Sequence, residues 1–519
     1  MGSEERGSTS IRGGVAWSLT SFVGTKAITF LATLVLARLL APSEFGVLAA
    51  VLAFITLLEL ISDLGMKATV IYESERGVTV RVQTAFTLNL IFTLMLTALA
   101  VALAPAIAEF FGVPAETGLF RLAALDLLLR GLGNIHDALL LRDMEFRRRI
   151  IPQLTSNVVR AAVTIALAIA GLGADALVIG FIVGTAVWTL TLWVIKPFRP
   201  TLRIERSAIR GIAAYGGWAS ALQLLAAATQ RADVAVIGAA IGPRALGLYT
   251  VAQRVPELIV GNVTWNLSIV AFPALSQRRD QAGRALTDTT LNLIRFSALF
   301  GMTIGALLAV VAPPLIVVLF SEKWADAGGV MEALAIMYGL VCIVFPLGDT
   351  FKALARQRLM AGVNAVALPI AVGAMILAAP AGVVAVAWAR VAVTLAQAVV
   401  WIVLISRVLG LRLGQVAAEL RGGIAGAAGI TIAGLAVRSA FPETTVGPLL
   451  LITVAACAAG ALTLRLFARQ AFEEVVGMIR SGLLSRSRQG DQDVGPSPDL
   501  SEITADPVGP AATPRTRSE

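Results

Sequence analysis

The chain of 519 residues is 57% hydrophobic and only 14% charged, with a formal net charge of +9 and a mean hydropathy of +0.82. That is too apolar for a water-soluble domain of ordinary composition, so most apolar side chains are expected to face lipid. The basic residues are scattered between hydrophobic runs instead of gathering on one soluble face, which argues against a nucleic-acid partner. A single histidine, His136, and two distant cysteines, Cys342 and Cys457, leave no support for a zinc site, a histidine-based triad or a disulfide framework. No metal, cofactor or catalytic residue is expected.

A bilayer core takes about 20 apolar residues per helix, and the chain supplies fourteen such runs, predicting an all-α integral membrane protein. The predicted spans are 14–38, 45–66, 83–108, 118–141, 150–171, 175–196, 211–241, 246–275, 288–312, 328–349, 359–379, 382–406, 422–440 and 448–467. Residues 1–13 are polar and the first run is longer than the apolar core of a signal peptide, so span 1 is expected to stay as a helix.

The connections alternate in charge. Even-numbered ones carry Lys67, Arg76, Arg81, Arg142, Arg147, Arg148, Arg149, Lys196, Arg199, Arg203, Arg206 and Arg210, then Arg278, Arg279, Arg284, Lys352, Arg356, Arg358, Arg407, Arg412 and Arg421. Odd-numbered ones hold Arg38, Arg244, Lys323 and Arg438. The positive-inside rule then places both termini in the cytoplasm. Residues 485–519, rich in Ser, Pro, Asp and Thr, are expected to be a disordered tail, and 468–484 mix apolar and basic residues as an interfacial helix does.

The connection of spans 1 and 2 contains Pro42-Ser43-Glu44-Phe45-Gly46, and that of spans 7 and 8 contains Pro243-Arg244-Ala245-Leu246-Gly247. Ala104-Pro105 late in span 3 is echoed by Ala312-Pro313 late in span 9. Both echoes imply two six-helix halves of like orientation, 14–196 and 211–406, joined by a basic linker at 197–210 and followed by two extra helices at 422–467. Parallel repeats of this kind frame a central cavity in several transporter folds.

The segment Leu36-Ala37-Arg38-Leu39-Leu40-Ala41-Pro42-Ser43-Glu44-Phe45-Gly46, followed by Ser62-Asp63-Leu64-Gly65, resembles the N-terminal signature of the bacterial polysaccharide flippases. Gly247-Leu248-Tyr249 with Arg254, then Phe272-Pro273-Ala274-Leu275-Ser276, resembles that family's second-half counterpart. These flippases share a superfamily with the multidrug and toxic compound exporters and the lipid II flippases. The resemblance implies a two-lobed, V-shaped transporter. It would carry a polyprenyl-diphosphate-linked oligosaccharide from the cytoplasmic to the outer leaflet by alternating access, alongside the glycosyltransferases and polymerase of its pathway.

Ionisable groups at membrane depth are costly and usually face a cavity or a partner. They cluster in spans 1, 2, 7 and 8. For a diphosphate cargo the candidate cavity cations are Lys26, Arg231 and Arg254, since arginine offers a planar fork to phosphate oxygens. Glu59 and Asp63, at i and i+4, are candidates for an ion-coupling pair, with Asp233 and Glu257 as their second-half counterparts. Structural pairings compete with each assignment: Glu59 and Asp63 with Lys26, Arg231 with Asp233 or Asp63, and Arg254 with Glu257. Span 4 carries Asp126, Arg130, Asn134 and Asp137 on one stripe, with Asp126 and Arg130 spaced for an internal salt bridge. Arg160, Arg295 and Arg390 are isolated charges in spans 5, 9 and 12, with cavity lining, snorkelling and pairing with span 4 all open to them.

A multidrug exporter of the same superfamily is the close rival, and it would want acidic residues in its cavity. A polysaccharide polymerase or ligase would need a sizeable extracytoplasmic loop for its catalytic groups, and the odd-numbered connections are short.

Overall fold

The computed structural model describes residues 24–63, 78–143, 145–197, 200–201, 229, 231–277, 284–467, 469 and 473. Expectations for residues 1–13, for most of the linker 197–210 and of the segment 468–484, and for the tail 485–519 lie outside these residues. The chain forms two compact units, Met1–Ala468 and Arg469–Glu519. In the second, Arg469 pairs with Glu473 at 2.9 Å.

The first unit is built from helices that match the predicted spans in order. They are α1 (residues 24–39), α2 (Pro42–Asp63), α3 (Val78–Phe110), α4 in two pieces (Thr117–Ala123 and Leu125–Arg142), α5 (Phe146–Ile169) and α6 (Ala174–Ile195). The second half continues with α7, described over residues 231–240, then α8, which runs as Pro243–Pro256, a π-helical turn Glu257–Gly261, and Asn262–Gln277. Next come α9 (Arg284–Phe320), α10 (Ala327–Ala353), α11 (Gln357–Ala378), α12 (Val383–Leu409), α13 (Leu413–Ala440) and α14 (Val446–Phe467). Among the described residues eleven helices are long and apolar enough to cross a membrane by themselves.

Several helices outrun their predicted spans. Span 9 is expected to end at residue 312, yet α9 continues through Pro313 and Pro314 to Phe320. A proline removes one backbone donor and crowds the carbonyl of the preceding turn. In a membrane the neighbouring helices and local adjustments can absorb that loss, whereas leaving the helix would expose many more polar groups.

The two halves repeat the same packing: α3 on α4, α4 on α6, α5 on α6 and α2 on α4 in the first, and α9 on α10, α10 on α12, α11 on α12 and α8 on α10 in the second. The extra helices α13 and α14 pack together and against α9. Because lipid tails are as apolar as leucine, these contacts draw their energy from close van der Waals approach. Gly301 and Gly339 supply it between α9 and α10, each lying against the other's backbone, where an added Cβ would stand 2.6 Å from the opposing carbonyl oxygen.

The halves meet chiefly where α2 crosses α8. Pro42 and Pro243 occupy the first helical turn, where the missing N–H costs nothing. Glu44 reaches back to accept from the Ala41 amide at 2.5 Å, capping α2, and Gly242 opens α8 at φ +108°, a conformation that favours glycine. Five residues into each helix stands a glycine against the other's proline. A Cβ on Gly46 would lie 2.6 Å from the carbonyl carbon of Pro243, and one on Gly247 would lie 2.7 Å from that of Pro42. Beside this crossing Trp324 donates its indole N–H to the Ala37 carbonyl at 2.7 Å and stands edge-on to Phe45, with centroids 5.3 Å apart. These contacts close the halves together at the end bearing the sparsely charged connections.

Candidate functional site

Below that crossing lies a cavity of about 130 Å³ bounded by α1, α2, α5 and α6 of the first half and α8 of the second. On α1 its wall is the stripe Thr29, Ala32, Thr33 and Leu36, which follows helical spacing. From α8 come Thr250, Val251 and Arg254, and from α5 come Asn157, Arg160 and Thr164. Arg254 stands eleven residues into α8, about 16 Å along its axis, and Arg160 fourteen residues into α5, about 21 Å, so both lie well inside the bilayer.

Neither guanidinium makes an ion pair with a carboxylate among the described residues. Arg160 instead lies over the Phe181 ring, 4.4 Å from its centroid, and its Nε is buried without a hydrogen-bond partner. Gly184 on α6 makes room for it: an added Cβ would stand 2.9 Å from the Cβ of Arg160 and 3.0 Å from its Nε. Among the described residues no aspartate or glutamate lines the cavity.

A second guanidinium, that of Arg130, approaches the same ring at 5.6 Å, but it is compensated. Arg130 bonds Asp126 at 2.7 Å, the predicted i, i+4 salt bridge, and also pairs with Glu59 of α2. Asp126 is completely buried, so the triad staples α2 to α4 while removing Glu59 from the free carboxylates. Asp137, on the same stripe, takes both forks of Arg149 at 2.6 and 3.0 Å.

The other candidates are spread. Lys26 continues the α1 stripe one turn beyond Thr29 without being among the cavity's lining residues. The side chain of Asp63 lies outside the described residues. Arg231 is exposed at the start of described α7. The nearby Asp233 is buried and accepts from the Tyr249 hydroxyl at 2.7 Å and from the Val234 amide at 2.9 Å. The alternative pairings of Arg231 with Asp233 and of Arg254 with Glu257 do not occur among the described residues. Glu257 begins the π turn of α8. Asn262 and Asn266, in the α-helical stretch that follows, donate to the carbonyls of Leu258 and Asn262, at 3.0 and 2.8 Å.

The model of the polysaccharide biosynthesis protein family matches residues 35–328, more than half of the chain and all of the α2–α8 crossing. The chain belongs to that family. It is 26% identical over 333 residues to the succinoglycan biosynthesis transport protein ExoT of Rhizobium meliloti (strain 1021), covering 63% of this chain and 66% of that one. With the lipopolysaccharide biosynthesis protein WzxC of Escherichia coli (strain K12) it shares 23% over 352 residues, covering 66% and 70%. The chain thus spans about two thirds of the length of these relatives. The lipid II flippase MurJ in an inward closed conformation superposes over 88% of this chain and 99% of its own, with a TM-score of 0.70 at 12% identity. An inward-facing multidrug resistance MATE family transporter does so over 74% and 94%, with a TM-score of 0.61 at 16% identity. The fold is therefore that of these all-helical transporters, and the protein is a multi-pass membrane protein.

Within this polysaccharide biosynthesis protein Arg160, one of three isolated arginines in the sequence, takes the cavity-lining position. Its signal was present as the α5 spacing Asn157, Arg160, Ala161 and Thr164, which aims one polar face into the cavity. What the sequence lacked was the neighbour that makes this face a cavity wall.

Proposed function

We propose that this protein is a flippase that carries a polyprenyl-diphosphate-linked oligosaccharide from the cytoplasmic to the outer leaflet for cell-surface polysaccharide synthesis. The observation that carries this reading is the pair Arg160 and Arg254, two cations without a carboxylate partner among the described residues, contributed by α5 and α8 to one cavity whose described lining contains no acid. A partly buried guanidinium within a membrane-crossing helix is poorly solvated, so a diphosphate bound by the two arginines relieves that cost. A cation-exporting multidrug transporter would need the reverse lining, and its best acidic candidate, Glu59, is already engaged by Arg130.

The positive-inside rule puts the basic connections, and with them both termini, on the cytoplasmic side of the inner membrane. The α2–α8 crossing then closes the outer face. In this arrangement the cavity receives the diphosphate from the cytoplasm, with Lys26 extending the cationic stripe toward the entrance and Arg231 adding charge from α7. Rocking of the halves would open the crossing and pass the sugar outward while the lipid tail stays in hydrocarbon.

Complementation of a strain lacking the gene tests this. Arg160→Gln and Arg254→Gln should each lower surface polysaccharide at least tenfold at unchanged membrane abundance, with lipid-linked glycan accumulating inside. Wild-type export by both variants overturns the reading.

A further inference from the structure

On the second half, away from the central cavity, a groove of about 720 Å³ runs between α11 and α12. Its floor is apolar. Gly362, Val366 and Ile370 line it from α11 and Val393 and Val400 from α12, and Val366 and Ile370 are 63% and 59% exposed on the membrane-facing surface. From Leu359 to Ile370 it follows the helix for eleven residues, about 17 Å, enough for most of an extended acyl chain. Gln397, the polar side chain of its wall, donates its amide to Asn364 at 3.2 Å.

At the basic end the groove terminates on Arg358, which is exposed and makes no ion pair among the described residues. Arg358 is the second residue of a 22-residue helix, so its charge adds to the first-turn amides and to the positive end of the helix dipole. Arg356 and Lys352 lie just before it in sequence. A cationic mouth at headgroup level that opens into an apolar channel of chain length is complementary to an anionic lipid, and basic pockets between membrane helices are known to select such headgroups.

We propose that the groove between α11 and α12 binds an anionic membrane phospholipid, its phosphate on Arg358 and one acyl chain along Gly362, Val366 and Ile370. This site is separate from the cargo cavity and does not depend on what the cavity carries. Zwitterionic lipids fill the groove less well because their headgroup brings a second cation to Arg358.

Gly362 provides a clean probe, since an added Cβ there meets nothing within 4 Å, and a larger side chain fills the groove without disturbing the helices. Native mass spectrometry of the full-length protein with matched dioleoyl phosphatidylglycerol and dioleoyl phosphatidylcholine reads the site. Wild type should retain phosphatidylglycerol at least fivefold more strongly. Arg358→Gln should abolish that preference, and Gly362→Phe, or Gly362→Leu if the larger variant is unstable, should remove the tightest-bound lipid altogether. Equal retention of the two lipids by wild type, or undiminished phosphatidylglycerol binding in the groove-filling variant, overturns the proposal. So does displacement of phosphatidylglycerol from the groove by equimolar undecaprenyl diphosphate, which would make the groove a cargo site.

Discussion

The guanidinium of Arg160 lies over the ring of Phe181, 4.4 Å from its centroid, in place of a carboxylate partner. An aromatic face steadies a cation without neutralising it, contributing about 0.5–2 kcal/mol depending on desolvation. Arg160 is thereby positioned with its full charge still available to a ligand. Phe181→Leu should raise the cargo concentration needed for half-maximal transport by roughly threefold to thirtyfold, and Phe181→Trp should restore it. Transport of lipid-linked sugar in proteoliposomes measures both, and an unchanged value in the leucine variant would show that the ring does not position the arginine.

The neighbouring Arg130 should behave differently because its charge is spent on structure. Arg130→Met takes the salt-bridge partner from the buried Asp126 and removes one partner of Glu59, a change that costs about 3–5 kcal/mol when one partner of a buried pair is removed. Glu59→Gln leaves the Asp126 bond at 2.7 Å intact and should cost much less. Thermal unfolding in detergent ranks the variants, and equal midpoints for the two would refute the triad as a staple between α2 and α4.

At the α2–α8 crossing even one methyl group has nowhere to go, because the opposing atoms are backbone. Gly46→Ala and Gly247→Ala should each weaken the closed contact by about 1–3 kcal/mol, the usual scale of overpacking. In a background with Cys342 and Cys457 replaced by alanine, a cysteine pair at Phe45 and Trp324 should cross-link readily, and either alanine variant should slow that reaction. Unchanged cross-linking would mean that the glycines are not what lets the halves close.

Lys196, at the end of α6, bonds both Asp143 and Glu145 of the α4–α5 connection at 2.7 Å. Its hydrogen bonds hold both carboxyls below the usual carboxylate range, and the same contacts raise the lysine above its own. Groups with depressed values stabilise above the ordinary carboxylate range and lose that contribution as pH falls through the depressed values. The raised lysine contributes in full below its ordinary value and loses that as pH climbs through the raised one. Lys196→Met should therefore lower stability by at most about 1 kcal/mol across neutral pH, with the difference from wild type vanishing in acid. A difference that persists at pH 2 would assign the loss to packing.

How much was legible in the sequence follows the range of the interaction. Helix count, order and the Asp126–Arg130 bond are local, set by runs of apolar residues and by i, i+4 spacing, and they appeared directly. The Pro-x-x-x-Gly echo also appeared, but only as a repeated turn; that the two copies touch is a tertiary fact. Glu59 illustrates the limit, since one partner it takes, Arg130, lies on a helix two spans away. Arg160 failed to stand out for the same reason, because a cavity wall is defined by the helix opposite. Helix ends were less legible than helix order, for α9 carries on through Pro313 and Pro314 past the expected end at residue 312.

Gly46 against Pro243 and Gly247 against Pro42 are one contact made twice, each copy related to the other by exchange of the two halves. Reciprocity of this kind belongs to an interface between identical subunits about a twofold axis. The crossing therefore has, within one polypeptide, the reciprocal geometry of a twofold seam. Each copy meets the opposing backbone on its own, so a side chain added at either glycine is enough to hold the seam apart.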